Sequence, residues 1–218
     1  MNKRPDAFTL LENGWILKVH PPAVTGSNRV LLMLHGWTGD ETVMSVFGQK
    51  VSPDYWLLSP RGPVKTPTSG FGWLPVVSGR RGEFTDYLTV IEELDRQVIH
   101  WLDFLKISTS TIDVMGFSQG GAVALTYLLK YPDRMDRTAC LSGFLPQSRD
   151  INVKPDSLTG KQVLIAHGSL DETIPIQMAN QSAQFLQKAG AEVTFCQDAV
   201  GHKLGPTCYK RLEAFFAT

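Results

Sequence analysis

With 218 residues, 43% hydrophobic and 19% charged, the chain is long enough for a full core and too apolar for disorder. Lys+Arg and Asp+Glu both number 21, so the formal net charge is zero; with no basic stripe, nucleic acid and anionic membrane are poor partners. The three cysteines (Cys140, Cys196, Cys208) are odd in number, lack metal or redox spacing and read as reduced thiols in a reducing compartment.

Charged and polar residues interrupt any N-terminal signal core, and no apolar run reaches spanning length. A soluble cytoplasmic protein without stable membrane insertion is therefore expected. In chain order, residues 15–19 form an early strand near the sheet edge, followed by a turn through Pro21, Pro22 and Gly26. Residues 30–34 are unbroken apolar, as in a strand buried on both faces of a parallel sheet. A short helix is expected over 41–48 and a strand over 55–59. Between Pro60 and Glu83 periodicity dissolves into Gly, Pro, Ser and Thr, with Phe71, Trp73 and Leu74 embedded. Such a loop either carries function or is pinned to the body by its aromatics.

Tyr87, Leu88, Ile91, Leu94, Val98, Leu102 and Leu105 then recur at helical steps. Strands are expected over 111–115, 138–142, 162–167 and 192–196. Helices are expected over 122–129, from Pro175 to Gly190, and from Pro206 to Phe216. Alternating strands and helices without internal repeat or linker predict a single α/β domain over 1–218: a mostly parallel central sheet with helices on both faces.

Gly116-Phe117-Ser118-Gln119-Gly120-Gly121 sits between a predicted strand and a predicted helix, the place of a G-x-S-x-G nucleophile elbow. A serine on that strained turn projects its hydroxyl outward, and glycines two before and two after it let neighbouring backbone approach. The Gln119 N–H, at the helix start, would face an oxyanion forming beside Ser118. In α/β-hydrolases the base follows the last strand and the acid lies between nucleophile and base. Of five histidines, His202 after Gly201 has that position; His20 and His100 read as surface or packing residues, and His35 and His167 as loop-holding residues before glycines. Asp171 is the favoured acid, with Glu172 and Asp198 as rivals, and Thr173 the better placed to cap the helix that follows. Trp37, in the loop after the buried strand at 30–34, is the second candidate oxyanion donor through its backbone N–H. No Walker loop, dinucleotide fingerprint or zinc motif is present, so no metal or organic cofactor is expected.

L-H-G at 34–36, G-F-S-Q-G-G at 116–121, L-S-G-F-L-P at 141–146, H-G-S-L-D-E-T-I-P at 167–175 and G-H at 201–202 fall in one order and spacing. Together they resemble the phospholipase/carboxylesterase family of α/β-hydrolases, whose best-known branch is the acyl-protein thioesterases. The resemblance implies Ser118 as nucleophile, Asp171 as acid, His202 as base, and Trp37 and Gln119 as oxyanion donors. Leu74-Pro75 after Trp73, where the family often has an aromatic and an acidic residue, and the bulky Trp37 are departures near the acyl site. Trp37, Phe71, Trp73 and Leu74 are accordingly the candidate substrate-binding residues, and a narrowed pocket would favour short to medium acyl chains. Only residues 143–161 separate two late strands, too few for a cap domain. The expected protein is a serine carboxylesterase acting on small-molecule esters, as a monomer or homodimer. The alternatives are an acyl-protein thioesterase or lysophospholipase using the same triad, or, more remotely, a non-catalytic binding protein of this fold.

Overall fold

The computed structural model describes residues 4–49, 51–76, 81–147 and 154–217. Its elements run β1 (Phe8–Glu12), β2 (Trp15–His20), β3 (Val30–Leu34), α1 (Ser45–Gly48), β4 (Trp56–Pro60), β5 (Val64–Lys65), β6 (Phe71–Gly72) and α2 (Phe84–Phe104). The order continues with β7 (Ile112–Phe117), α3 (Gln119–Lys130), a 3-10 turn (Pro132–Arg134), β8 (Met135–Leu141), β9 (Gln162–Gly168), α4 (Ile176–Lys188), β10 (Glu192–Asp198) and α5 (Pro206–Phe215). Eight strands form one sheet in the order β1-β2-β4-β3-β7-β8-β9-β10. From β4 to β10 every pair is parallel, while β1 and β2 add an antiparallel edge.

The apolar run of β3 is buried along its whole length because the sheet is covered twice. Val30, Leu32 and Leu34 face a core shared with α2, α3 and α4, and Leu31 and Met33 a second core shared with α1 and α5. The chain leaves β3 towards β4 on one side and returns through α2 to β7 on the other, so β3 and β7 are neighbours with Leu34 opposite Gly116. Their carboxyl ends thus open onto a topological switch point, where α/β sheets bind ligands.

The expected strands and long helices are present, and three features differ. β1 was not anticipated, although Asn13 (φ 51°) and Gly14 (φ 79°) make the two-residue turn that Asn-Gly favours between paired strands. The helix expected over 41–48 shrinks to α1, preceded by turns, and the loop after β4 carries its own small β5–β6 ladder. The third difference is covalent. Cys196 in β10 and Cys208 in α5 are joined by a disulfide, with Cα atoms 5.7 Å apart, which overturns the reading of three reduced thiols. An odd cysteine count says nothing about a strand and a helix that fold back on one another. Cys140 is free and buried. Among the described residues, no helix is long and apolar enough to cross a membrane.

Candidate active site

The site starts from the backbone. Between β7 and α3, Ser118 takes φ 54° and ψ −115°, a conformation that costs an L-residue on the order of 1–3 kcal/mol. The Ser118 N–H donates to the Leu141 carbonyl at 2.8 Å, and its carbonyl accepts from Gly121 and Ala122 at 2.9 and 3.2 Å. Packing explains the glycines on either side. A Cβ on Gly116 would lie 2.0 Å from the Gly120 carbonyl oxygen, and one on Gly120 would lie 2.1 Å from that of Leu34. The first turn of α3 is therefore pressed against the ends of β7 and β3. Nearby, Cys140 is sealed in the core, and burial pushes its thiol up to about 12; a thiol in that state is inert.

His202 reaches Ser118 from the loop between β10 and α5. Its Nε2 stands 2.9 Å from Ser118 Oγ and its Nδ1 2.7 Å from Asp171 Oδ2. A carboxylate only accepts, so Nδ1 carries the proton and Nε2 offers its lone pair to the serine hydroxyl. The turn carrying Asp171 and the loop carrying His202 are bonded together: Ser169 N–H donates to Asp198 O at 2.8 Å and Leu170 N–H to Val200 O at 3.0 Å. The Asp171 side chain is fully buried while that of His202 is 24% exposed, so the carboxylate is shielded and the imidazole reaches solvent. Phe117, its ring 5.1 Å from the imidazole, supports the face of His202.

Asp171 Oδ1 accepts the Thr173 and Ile174 N–H groups, both at 2.9 Å, in the turn before α4. Pro175 holds the position before α4, and Thr173 is not its cap. Both rivals for the acid stand elsewhere. Glu172 is exposed, and Asp198 accepts the Cys208 N–H at 2.9 Å at the start of α5.

The loop after β3 supplies the opposite wall. Gly36 lies against the serine, since a Cβ there would come 3.2 Å from Ser118 Cβ, and Trp37 follows it. Gln119 is the first residue of α3, so its N–H has no partner within the helix. Its side chain pins the next loop: Oε1 accepts the Trp73 N–H at 2.8 Å, and Nε2 donates to the Leu74 carbonyl at 2.9 Å. The indole of Trp37, half-buried, covers Gly72, where a Cβ would meet it at 2.2 Å. Phe71 and Leu74 are also half-buried. Trp73 is not available to a substrate. It is 1% exposed and donates its indole N–H to the His35 carbonyl at 2.7 Å, so it anchors the loop and is withdrawn from the substrate-binding set.

His35 and His167 are where loop-holding residues should be. His35 accepts the Gly62 N–H at Nε2, 2.8 Å away, and His167 lies 2.8 Å from the Ile174 carbonyl through Nε2. Burial lowers the proton affinity of both. His20 lies in β2, and His100 in α2 faces Glu12 at 3.8 Å. Sequence reasoning missed two contacts: the pinning by the Gln119 side chain, and the approach of His167 Nε2 to within 3.5 Å of Asp171 Oδ2. A hollow of about 510 Å³ lined by Leu102, Ile107, Ile112 and Arg134 lies at the other end of β7, away from Ser118.

The sequence profile of the phospholipase/carboxylesterase family matches residues 18–218. The carboxylesterase SOBER1 of Arabidopsis thaliana is 27% identical over 204 residues, covering 85% of this chain and 88% of its own. An acyl-protein thioesterase 1 from Mycosarcoma maydis is 38% identical over 88 residues, covering 39% of this chain and 36% of its own. Among solved structures, the Bacillus cereus carboxylesterase superposes with a TM-score of 0.84 at 21% identity, covering 94% of both chains. With that profile spanning nearly the whole sequence, the chain belongs to the phospholipase/carboxylesterase family of α/β-hydrolases and is a carboxylic ester hydrolase.

Proposed function

We propose that the chain is a serine carboxylesterase working through an acyl-enzyme, with Ser118 as nucleophile, His202 as base and Asp171 as acid. One observation carries the reading: a single imidazole sits 2.9 Å from the serine oxygen and 2.7 Å from a buried carboxylate. Ser118 Oγ attacks the ester carbonyl as its proton passes to His202 Nε2, and Asp171 stabilises the imidazolium. The carbonyl oxygen takes the negative charge between the N–H groups of Trp37 and Gln119, each donor worth on the order of 3 kcal/mol in the transition state. Collapse breaks the C–O bond, and the alcohol leaves with the proton from His202. Water, deprotonated by His202, then attacks the acyl-serine and restores the enzyme. Besides the ester and water, every group the proposed cycle uses belongs to the chain.

The acyl group would lie along Trp37, Phe71 and Leu74, and the bulk of Trp37 over Gly72 supports short to medium acyl chains. A p-nitrophenyl ester series from acetate to palmitate, assayed on wild type and Ser118→Ala, tests both parts. A fast wild type with an optimum at short to medium length and a variant slower by several orders of magnitude is expected. A flat profile would remove the pocket assignment, and equal rates would remove the nucleophile.

A second reading, acyl-protein thioesterase activity, draws on the thioesterase from Mycosarcoma maydis. Paired oxyester and thioester substrates with one acyl chain separate the two by their kcat/KM ratio. The Cys196–Cys208 bond favours an oxidising surrounding and weighs against the expected cytoplasmic residence. We take the protein to act alone or as a homodimer on soluble esters.

A further inference from the structure

His167 is buried to 1% exposure and takes no part in the cycle above, yet it touches the carboxylate on which that cycle depends. Asp171 Oδ1 is fixed by the Thr173 and Ile174 N–H groups, both at 2.9 Å. The carbonyl of the same Ile174 lies 2.8 Å from His167 Nε2, and Asp171 Oδ2 lies 3.5 Å from that nitrogen. The acid, its turn and the imidazole thus form a closed ring of contacts, with Oδ2 left to face His202 Nδ1 at 2.7 Å.

The tautomer follows from the partners. A carbonyl can only accept, so the 2.8 Å contact requires a proton on Nε2. Burial disfavours a second proton, which leaves Nδ1 bare. Among the described residues, Nδ1 is buried without a hydrogen-bond partner, and so is the hydroxyl oxygen of Ser142. Ser142 N–H donates to the Ala166 carbonyl at 2.8 Å, which puts Ser142 opposite His167 in the parallel register of β8 and β9. Residues 142 and 167 thus stand opposite one another across the two strands, each with one unpaired polar atom among the described residues. A doubly protonated His167 would instead set a second cation against Asp171, in competition with the imidazolium that His202 becomes during attack.

We propose that His167 is the positioning residue of the catalytic acid: with its proton on Nε2 it clamps the turn from Asp171 to Ile174 and directs Oδ2 to His202. The inference rests on the assignment of Ser118, His202 and Asp171 as a triad. Second-layer hydrogen bonds of this type are typically worth 10- to 100-fold in function at metal sites, and a small misplacement of a reacting group costs a similar factor.

The test uses the full-length protein and two amide variants. In His167→Gln the side-chain nitrogen can take the place of Nε2 and donate to Ile174; in His167→Asn it falls one methylene short. The expected outcome is a kcat within about threefold of wild type for Gln and a 10- to 100-fold loss for Asn, with KM within about twofold in both. The low-field proton resonance of the His202 Nδ1–H should survive in the Gln variant and broaden or move upfield in the Asn variant. A role in stability alone would lower the melting temperature and leave that resonance and kcat unchanged in the folded protein. Equal kcat values in the two variants, or a loss confined to KM, would overturn the proposal. Wild type supplies a reading that needs no variant to fold: imidazole ¹⁵N shifts should show His167 protonated at Nε2 and bare at Nδ1, and the opposite tautomer would overturn the clamp. If wild type itself shows no Ser118-dependent turnover, the triad assignment fails, an outcome distinct from an active wild type indifferent to His167.

Discussion

Ser118 holds an unfavourable backbone conformation because the groups around it leave no other. Gly120→Ala would force a Cβ to within 2.1 Å of the Leu34 carbonyl oxygen, a clash with backbone that no rotamer relieves. Expression of that variant should yield little folded protein, whereas Ser118→Ala should fold with a melting temperature near wild type and no esterase activity; circular dichroism separates the two. Asp171→Asn should fold as well, since the side chain keeps an oxygen for the Thr173 and Ile174 N–H groups. Its amide would turn His202 to the wrong tautomer, and kcat should fall by about 10⁴. An unchanged kcat would remove Asp171 from the mechanism. These three residues were legible because each signal is local: a glycine-framed serine between strand and helix, a histidine after the last strand, an aspartate just past the strand before it. The link from His167 to Asp171 was not, because it depends on how one turn folds back on its own strand. Nor could composition tell which aromatic of the loop after β4 turns inward; Trp73 does, because His35 offers its indole a carbonyl.

At the scale of elements, the site is two loops held against one helix start. Gln119 ties α3 to the loop at Trp73 and Leu74 by two hydrogen bonds. Gln119→Ala should cost about 2 kcal/mol in urea unfolding, at roughly 1 kcal/mol per bond, and raise KM through a loosened wall beside Trp37. An unchanged KM would place the acyl group elsewhere. On the other side, the disulfide closes a 12-residue span from β10 to α5 that contains His202. Thiol titration of the unfolded, unreduced protein should find one free group, Cys140, and three after reduction; three from the outset would mean that the bond does not form. Cys208→Ser should cost on the order of 3 kcal/mol by chain entropy. Folded Cys208→Ser should keep kcat within a few-fold, because Asp198 and the Ser169 and Leu170 bonds still hold the loop. The elements themselves are readable from apolar runs such as 30–34 and from helical spacing, whereas the strand at 8–12 leaves a faint pattern because its burial alternates only weakly at an exposed edge.

Across the whole molecule, the sheet order brings the carboxyl ends of β3 and β7 together, so that residues 37, 118 and 119 meet although four strands and two helices separate the first from the others along the chain. The same double coverage of the sheet buries His35 and His167 in neutral form. Their folded proton affinities lie below the unfolded value near 6.5, so the unfolded chain binds more protons as pH falls past that point. Stability should therefore be unaffected by them above about pH 7 and decline below it, by at most about 1.4 kcal/mol per pH unit for each. Asp113, whose carboxyl burial raises, acts in the opposite sense, its penalty fading in acid. The urea midpoint should fall further between pH 7.5 and 5.5 in wild type than in His167→Gln, which keeps Asp113 but lacks one of the histidines, and an equal fall would contradict a neutral His167. The proposed mechanism puts the acyl group on Ser118. Wild type mixed with a slow p-nitrophenyl ester and quenched within the burst should give a peptide carrying the acyl mass at Ser118, in an amount equal to the burst of p-nitrophenol, with neither in Ser118→Ala. Turnover without that adduct, or the same mass found on another residue, would contradict it.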